Sequence, residues 1–300
     1  MTDRYAVVGN PVAHSRSPSI HARFARQTGQ DIEYGRLLAP LDGFVEAVER
    51  FREDGGSGLN VTVPFKLEAF AWVGRRSPRA QAAGAVNTLR FDPEGAFGDN
   101  TDGAGMVRDI ESRLGLALSG RSVLVLGAGG AARGVLGPLL DAGVARLTIA
   151  NRTPAKAHEL VDAFAGYATG GAKSVATPAA TPAAKSAAPM RARLQACEFA
   201  LRDAGFDVIV NATSAGISGT RLPVADAVFA AAALAYDMFY APRDTAFVAQ
   251  ARAAGCARAF DGLGMLVEQA AESFLVWRGV RPLTAPVYEA LRAELAAETA

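Results

Sequence analysis

The most constraining feature of the sequence is a glycine-rich turn that follows a run of apolar residues. Residues 123–126 are Val-Leu-Val-Leu, and they are followed by Gly127, Ala128, Gly129, Gly130 and Ala131. Four consecutive apolar residues are typical of a strand buried on both faces, and the Ala-rich continuation predicts a helix. A G-x-G-x-x-G/A pattern between a strand and a helix indicates that the phosphates of a dinucleotide bind at the helix N-terminus.

The residue types in this turn suit phosphate binding. Gly127 permits a tight turn, Gly129 lets a pyrophosphate approach the backbone, and Ala132 is small enough for the helix to pack on the sheet. The helix is predicted to end at Gly143, residues 147–150 form the next apolar strand, and a further helix is predicted from Pro154 to about Phe164. This order of elements predicts a right-handed βαβ unit, and hence a Rossmann-type domain with a doubly wound parallel sheet.

The end of the second strand indicates which dinucleotide binds. An NAD site normally has an Asp or Glu there, which binds the ribose 2′-hydroxyl. This chain has Asn151, Arg152 and Thr153 instead, with Lys156 one helical turn further on. A guanidinium binds a 2′-phosphate through paired N–H donors, whereas a carboxylate repels it. The sequence therefore predicts NADP(H) rather than NAD(H).

Composition indicates the broad class of the protein. The chain has 300 residues, of which 50% are hydrophobic and 20% charged, as in soluble globular proteins of one large or two medium domains. The formal net charge of +1 predicts neither a nucleic-acid partner nor an anionic membrane partner. The sequence begins directly with a predicted strand, and its apolar runs are shorter than a membrane span, so we expect a cytoplasmic location.

Cysteine and histidine positions predict neither a disulfide framework nor a metal site. Cys197 and Cys256 are isolated in the sequence, and His14, His21 and His158 lack the spacing of metal ligands. The sequence also lacks a G-x-S-x-G motif, so it offers no nucleophile of the hydrolase type.

The region before the glycine-rich turn is predicted to be a separate α/β domain with polar side chains at strand ends and helix starts. These are the places where α/β proteins build binding sites. Hydroxyl, amide and ammonium groups together suit a small polyhydroxylated acid. Lys66 and Asp102 are the candidates for acid–base chemistry. The full set comprises Ser15, Ser17, Asn60, Thr62, Lys66, Asn87 and Asp102.

These residues also have structural interpretations, which the sequence leaves open. Ser17 has the position of a helix N-cap, and Thr101 or Asp102 has the position of the N-cap of a later helix. The strand that precedes the lysine is predicted to place Val61 and Val63 together on its apolar face.

Motifs along nearly the whole chain resemble those of shikimate dehydrogenases. Examples are Asn-Val-Thr-Val-Pro-Phe-Lys at residues 60–66 and Asn-Thr-Asp-Gly at residues 100–103. Further matches lie at residues 5–11, 14–18, 84–88, 151–153, 211–214, 236–240 and 261–269, in the same order as in the family. An ordered set of this length is far more specific than the glycine-rich turn alone.

The resemblance implies reversible, NADP-dependent reduction of 3-dehydroshikimate to shikimate in chorismate and aromatic amino-acid biosynthesis. It implies hydride transfer to the C3 carbonyl, with proton transfer by the Lys66/Asp102 pair. The residues implied to bind shikimate are Ser15, Ser17, Asn60, Thr62, Lys66, Asn87, Asp102, Tyr240 and Gln269. Those implied to contact NADP(H) are Gly127, Ala128, Gly129, Gly130, Ala131, Asn151, Arg152, Thr153, Lys156, Met238 and Gly262.

The predicted architecture is α/β with two domains. Residues 1–102 are expected to bind substrate, residues 103–262 to bind NADP, and the helices of residues 263–300 to pack back on the first domain. Two features depart from the family pattern. Pro78 stands where many members carry an acid near the cofactor, and the Ala- and Pro-rich residues 166–190 are predicted to be a flexible insertion.

Two other functions share many of these motifs. A quinate/shikimate dehydrogenase with relaxed substrate or cofactor choice tends to carry an acid near the end of the second strand, which this chain lacks. A non-catalytic, ligand-binding regulatory homologue is disfavoured because Lys66 and Asp102 are both present. The expected partner is a small-molecule substrate, and the sequence does not decide between a monomer and a homodimer.

Overall fold

The chain divides into two compact units. The computed structural model describes residues 2–168, 192–199, 201, 205–213 and 220–298. Met1–Asp109 and Gly264–Glu294 form the first unit, and Ile110–Leu263 and Leu295–Ala300 form the second. Of the predicted insertion, residues 166–168 belong to a helix, and residues 169–190 lie outside the described part of the chain.

Six described strands form the mixed sheet of the first unit. They are β1 (Asp3–Gly9), β2 (Ile32–Leu38), β3 (Gly56–Val61), β4 (Arg75–Arg76), β5 (Thr88–Asp92) and β6 (Gly95–Asp99), and their order in the sheet is β2-β1-β3-β5-β6-β4. β1 pairs in parallel with β2 and β3, whereas β5 is antiparallel to both β3 and β6. The carboxyl ends of β1, β2 and β3 therefore lie along one edge of the sheet.

Five of the described helices of the first unit cover this sheet. They are α1 (Ser17–Thr28), α2 (Phe44–Glu53), α3 (Lys66–Trp72), α4 (Pro78–Ala83) and α5 (Asp102–Arg108), which continues as a π-helical turn over Asp109–Arg113. The core includes Val8, Phe44, Leu59 and Phe65, which are at most 1% exposed. Apolar residues at helical spacing, as in α2, bury one helix face against the strands.

The second unit has a parallel sheet wound in two directions. Its described strands are β7 (Ser122–Leu126), β8 (Arg146–Ala150), β9 (Arg193–Cys197), β10 (Val208–Asn211), β11 (Leu234–Asp237) and β12 (Ala259–Phe260), in the order β12-β11-β10-β7-β8-β9. The chain runs outward from β7 to β9 and then returns to β10 on the other side of β7. Ligands of such sheets bind where this direction changes, at the carboxyl ends of the strands.

The helices of the second unit complete the doubly wound fold. They are α6 (Gly130–Asp141), α7 (Pro154–Ala168), α8 (Asp226–Ala230) and α9 (Ala246–Ala253). The core at one face of the sheet includes Leu124, Ile209 and Phe229, which are completely buried. Most of two further long helices, α10 (Leu263–Arg278) and α11 (Ala285–Ala297), belongs to the first unit, which includes residues 264–294. The predicted α/β fold class is confirmed.

The structure corrects three local predictions. Ser17 is not an N-cap, because α1 begins at Ser17 itself and has no side-chain cap at Arg16. β3 ends at Val61, so Val63 is not on an apolar face and is 68% exposed. Helix α7 was expected to end near Phe164 and continues to Ala168.

A buried histidine lies in the first unit. His21 of α1 is completely buried, and its ring stacks on Tyr34 with centroids 4.2 Å apart. Among the described residues, neither ring nitrogen has a hydrogen-bond partner. Burial lowers the pKa of His21 from 6.5 to about 3, because a charged ring would lose its hydration and the neighbouring Asn60 side chain offsets only part of that loss.

This histidine should make the stability of the first unit depend on pH. His21 binds a proton near pH 6.5 in the unfolded chain and near pH 3 in the folded chain. Its contribution to the free energy of unfolding is therefore fully present above pH 6.5 and is lost as the pH falls toward 3. We expect His21→Phe to flatten this dependence by about 1.4 kcal/mol per pH unit over most of that range.

The measurement is urea denaturation at several pH values. Trp72 and Trp277 both belong to the first unit, so tryptophan fluorescence reports its unfolding. The control is His158→Phe, which changes an exposed ring and should keep the pH dependence of the unaltered chain. Equal pH dependence in His21→Phe and the unaltered chain would show that His21 does not stay uncharged in the fold.

Candidate active site

Two ionisable side chains of the first unit meet at the N-termini of two helices. Lys66 is the first residue of α3, and Asp102 is the first residue of α5. Lys66 Nζ lies 2.6 Å from Asp102 Oδ2, and the two side chains are 33% and 17% exposed. A helix N-terminus favours the carboxylate and disfavours the ammonium. The contact with Asp102 therefore stabilises a lysine that its own helix does not favour.

Asn87 binds the other oxygen of Asp102. Its Nδ2 donates to Asp102 Oδ1 and to Thr101 Oγ1, each at 2.9 Å. Its Oδ1 accepts from the backbone N–H of Thr101 at 2.8 Å and from the Thr88 hydroxyl at 2.9 Å. These partners fix the amide with its NH₂ group toward Asp102. Both carboxylate oxygens of Asp102 therefore face donors, which suits the ionised form.

Helix α10 adds Gln269 to the same cluster. Gln269 Oε1 accepts from Asn87 Nδ2 at 3.3 Å and from Thr101 Oγ1 at 3.4 Å. The backbones of α5 and α10 approach closely here, since a Cβ at Gly105 would lie 2.6 Å from the backbone nitrogen of Gln269. A residue far along the sequence is thereby brought to the Lys66–Asp102 pair.

Asn60 is held by two residues that the sequence patterns did not indicate. Tyr34 donates its hydroxyl to Asn60 Oδ1 at 2.7 Å, and Asn60 Nδ2 donates to Ser273 Oγ at 3.0 Å. Ser273 Oγ also lies 2.7 Å from Thr88 Oγ1. Ser273 stands four residues after Gln269, so helical spacing was the available signal. No comparable signal identified Tyr34.

The predicted serine pair lies in the loop that leads into α1. Ser15 Oγ is 3.2 Å from Ser17 Oγ and accepts from the Ser17 backbone N–H at 3.3 Å. Arg36 Nη2 donates to the backbone oxygen of Ser15 at 2.8 Å. Thr62 lies beside the end of β1. A Cβ built at Gly9 would lie 2.4 Å from the methyl group of Thr62.

The glycine-rich turn of the second unit has one glycine that the fold requires and two that it does not. Gly127 has a φ of +108°, and a Cβ there would lie 3.0 Å from the backbone oxygen of Ala212. At Gly129 and Gly130, a Cβ would meet no other part of the described chain within 4 Å. The first turn of α6 carries no acidic residue. The open space at this N-terminus fits a phosphate group.

The residues predicted to select the cofactor follow β8 at the same edge of the sheet. Asn151 Nδ2 donates to the backbone oxygen of Thr153 at 2.9 Å, which stabilises the turn before α7. Arg152, Thr153 and Lys156 are exposed, and Ala131 of the neighbouring helix is exposed as well. The glycine-rich turn lies beside the turn after β8, because Gly127 donates its N–H to the oxygen of Ala150 at 2.7 Å.

Met238, Tyr240 and Gly262 lie in the turns after β11 and β12. Gly262 donates its N–H to the oxygen of Phe239 at 2.9 Å, and a Cβ at Gly262 would lie 2.5 Å from the oxygen of Met238. Tyr240 belongs to the second unit, whereas the other residues predicted to bind substrate belong to the first.

Two further classes of site are not seen in the described residues. These residues contain no group of His, Cys, Asp and Glu side chains that could hold a metal ion. None of the helices in the described ranges is long and apolar enough to cross a membrane. Cys197 and Cys256 are free thiols.

Comparison with known proteins decides the family. Residues 7–89 match the shikimate dehydrogenase substrate binding domain, residues 109–174 match shikimate / quinate 5-dehydrogenase, and residues 262–292 match the shikimate 5′-dehydrogenase C-terminal domain. A protein of Aromatoleum aromaticum named shikimate dehydrogenase (NADP(+)) is 58% identical over 294 residues, which cover 98% of each chain. The chain belongs to the shikimate dehydrogenase family.

Solved structures agree with this family assignment. The Ael1 enzyme from Pseudomonas putida is 45% identical, with a TM-score of 0.86 over 97% of this chain and 98% of that chain. The shikimate 5-dehydrogenase of Thermus thermophilus, solved in complex with NADP(H) and shikimate, is 32% identical, with a TM-score of 0.78 over 97% and 99% of the two chains. The resemblance to shikimate dehydrogenases is confirmed.

Proposed function

We propose that the chain catalyses the reversible, NADPH-dependent reduction of 3-dehydroshikimate to shikimate, a step of chorismate and aromatic amino-acid biosynthesis. Family membership supports the reaction class. The observation that carries the proposal is the contact of Lys66 with Asp102 at 2.6 Å, beside an amide and hydroxyl cluster that suits a polyhydroxylated acid. We expect the cytoplasm as its location and a monomer or homodimer as its active form.

The first unit is the proposed substrate-binding part. Lys66, Asp102, Asn87 and Gln269 present an ammonium, a carboxylate and two amides within one connected cluster. A substrate rich in hydroxyl groups can both donate to and accept from such a set. The remaining proposed substrate contacts are Ser15, Ser17, Asn60, Thr62 and Tyr240.

The second unit is the proposed NADP(H)-binding part, and its residues fit the group. The space at Gly129 and Gly130 accepts a pyrophosphate at the N-terminus of α6. The exposed Arg152 supplies the guanidinium that a 2′-phosphate requires. The other proposed contacts are Gly127, Ala128, Ala131, Asn151, Thr153, Lys156, Met238 and Gly262. When bound, the cofactor supplies the hydride for the C3 carbonyl.

The Lys66–Asp102 pair supplies the proton chemistry. As the carbonyl is reduced, negative charge develops on its oxygen, and the Lys66 ammonium stabilises that charge and donates a proton to it. Asp102 holds Lys66 in position through Oδ2 and is itself held through Oδ1 by Asn87. In the reverse direction the neutral amine accepts the proton from the substrate hydroxyl.

Removing the ammonium should impair turnover more than substrate binding. We expect Lys66→Ala to lower kcat by about 100- to 10,000-fold, the usual contribution of a positioned proton donor, with a smaller change in KM for shikimate. Initial rates of NADPH formation measure both values. Glu68→Ala, an exposed change on the same helix, is the control and should leave both unchanged. Near-normal turnover in Lys66→Ala would rule out the proposed role.

Removing the guanidinium should weaken the preference for NADP. We expect Arg152→Ala to lower kcat/KM for NADP⁺ by about 10- to 100-fold, the loss of one or two charge-assisted hydrogen bonds, and to leave kcat/KM for NAD⁺ nearly unchanged. Arg221→Ala is the control, since Arg221 is an exposed arginine of the same unit that pairs with Asp226. Equal losses with both cofactors would contradict recognition of the 2′-phosphate by Arg152.

A further inference from the structure

The segment of residues 238–240 follows β11 and is short and irregular, yet two of its residues are proposed to contact the cofactor or the substrate. Met238 and Tyr240 follow directly on Asp237, the last residue of the strand. Two backbone hydrogen bonds attach this segment to its neighbours: Met238 N–H to the oxygen of Asn211 at 3.0 Å, and Gly262 N–H to the oxygen of Phe239 at 2.9 Å.

The side chain of Asp237 makes three further hydrogen bonds at the same place. Although it is a carboxylate, it is completely buried. Its Oδ1 accepts from Asn211 Nδ2 at 2.9 Å and from the Phe239 backbone N–H at 3.1 Å, and its Oδ2 accepts from the Thr245 hydroxyl at 2.6 Å. A buried carboxylate is stable in a fold only when donors compensate for its lost hydration.

The other hydrogen bonds of these partners determine that each of them donates to Asp237. Asn211 Oδ1 already accepts from the backbone N–H of Thr213 at 3.1 Å and from its hydroxyl at 2.7 Å, so the NH₂ group of Asn211 points to Asp237. Thr245 Oγ1 accepts from the Val248 N–H at 3.2 Å as the N-cap of α9, so its hydrogen is available for Asp237. The three partners therefore act as donors, and the site suits an ionised carboxylate.

The same contacts connect the segment to the glycine-rich turn. Asn211 ends β10, the strand between β7 and β11. The next residue, Ala212, donates its N–H to the oxygen of Leu126 at 2.8 Å, and its own oxygen is the atom that a Cβ at Gly127 would approach. Asp237 therefore binds the end of β10 directly, and through Ala212 it is connected to the end of β7, where further proposed cofactor contacts lie.

We infer that Asp237 is a positioning residue, whose carboxylate holds the 238–240 segment in the conformation that binds the cofactor and the substrate. This inference rests on the proposed function, which assigns Met238 to NADP(H) and Tyr240 to shikimate. Asp237 acts through the Phe239 N–H, Asn211 and Thr245, and it needs no contact with either ligand.

Because Asp237 holds the 238–240 segment as a carboxylate, the attachment of this segment should depend on pH. Burial, and then the carboxylate of Asp261 in the turn after β12, raise the pKa of Asp237. Protonation places an O–H among three donors and weakens the attachment of the segment. The KM for NADP⁺ should therefore rise as the pH falls through the raised pKa of Asp237, at a pH where an ordinary carboxyl group is still ionised.

Variants at Asp237 test the inference. We expect Asp237→Ala to raise KM for both NADP⁺ and shikimate by about tenfold or more, because the segment loses its anchor. Asp237→Asn should have an intermediate effect, since its amide oxygen can accept from Asn211 and Phe239 while its NH₂ donates to a reoriented Thr245 hydroxyl. The rise of KM at acidic pH should be smaller in Asp237→Asn than in the unaltered chain.

Asp207→Ala is the matched control. Asp207 precedes β10 at the opposite end of the same sheet, where it accepts from the Ser122 N–H at 2.8 Å and from Arg121 at 2.9 Å. Its loss should lower the melting temperature and leave both KM values within about twofold, because the strand ends that carry the proposed contacts are untouched.

Three results would overturn the inference: unchanged KM values in Asp237→Ala, equal rises in Asp207→Ala, or the same acid dependence in Asp237→Asn and the unaltered chain. If Asp237→Ala does not fold, the comparison of Asp237→Asn with the unaltered chain still decides. A failure of the proposed function would look different, because the unaltered chain would then form no NADPH from shikimate.

Discussion

The ion pair between Lys66 and Asp102 is the interaction on which the rest of this site depends. Its two members begin different helices, so it joins the end of β3 to the end of β6 within the first unit. The helix dipoles favour Asp102 in its position and oppose Lys66 in its own. Asn87 binds the carboxylate that faces the lysine, and Thr101 and Gln269 in turn bind Asn87. The contact with Asp102 holds the proposed proton donor in place.

The second unit shows the same principle at the ends of parallel strands. Gly127 leaves β7 in a backbone conformation that favours glycine, while Gly129 and Gly130 keep the space before α6 open. At the end of β11, two strands from β7, the buried carboxylate of Asp237 accepts three hydrogen bonds beside the segment that contains Met238 and Tyr240. In both units a buried, hydrogen-bonded polar side chain, Asn87 in the first and Asp237 in the second, holds residues that are proposed to contact a ligand.

Much of the fold could be predicted from local sequence patterns, and less of the site. The apolar run before Gly127 and the acid-free end of β8 are local signals, and they led to the doubly wound sheet and to NADP(H). β9 was not predicted, because Arg193–Cys197 is a half-buried edge strand without a clear apolar pattern. Tyr34 and Ser273 were missed because their contacts with Asn60 join residues far apart in the chain. Lys66 and Asp102 were identified as the acid–base candidates from their residue types at strand ends and helix starts, and the resemblance to a family added their proposed role.

The most direct test is the activity of the purified chain with two substrates and two cofactors. Values of kcat/KM are measured for shikimate and quinate, each with NADP⁺ and with NAD⁺, from the absorbance of the reduced cofactor. We predict that shikimate with NADP⁺ gives the highest value. A preference for quinate or for NAD⁺ would point to the relaxed relative, and the absence of any shikimate-dependent signal would contradict the proposed reaction.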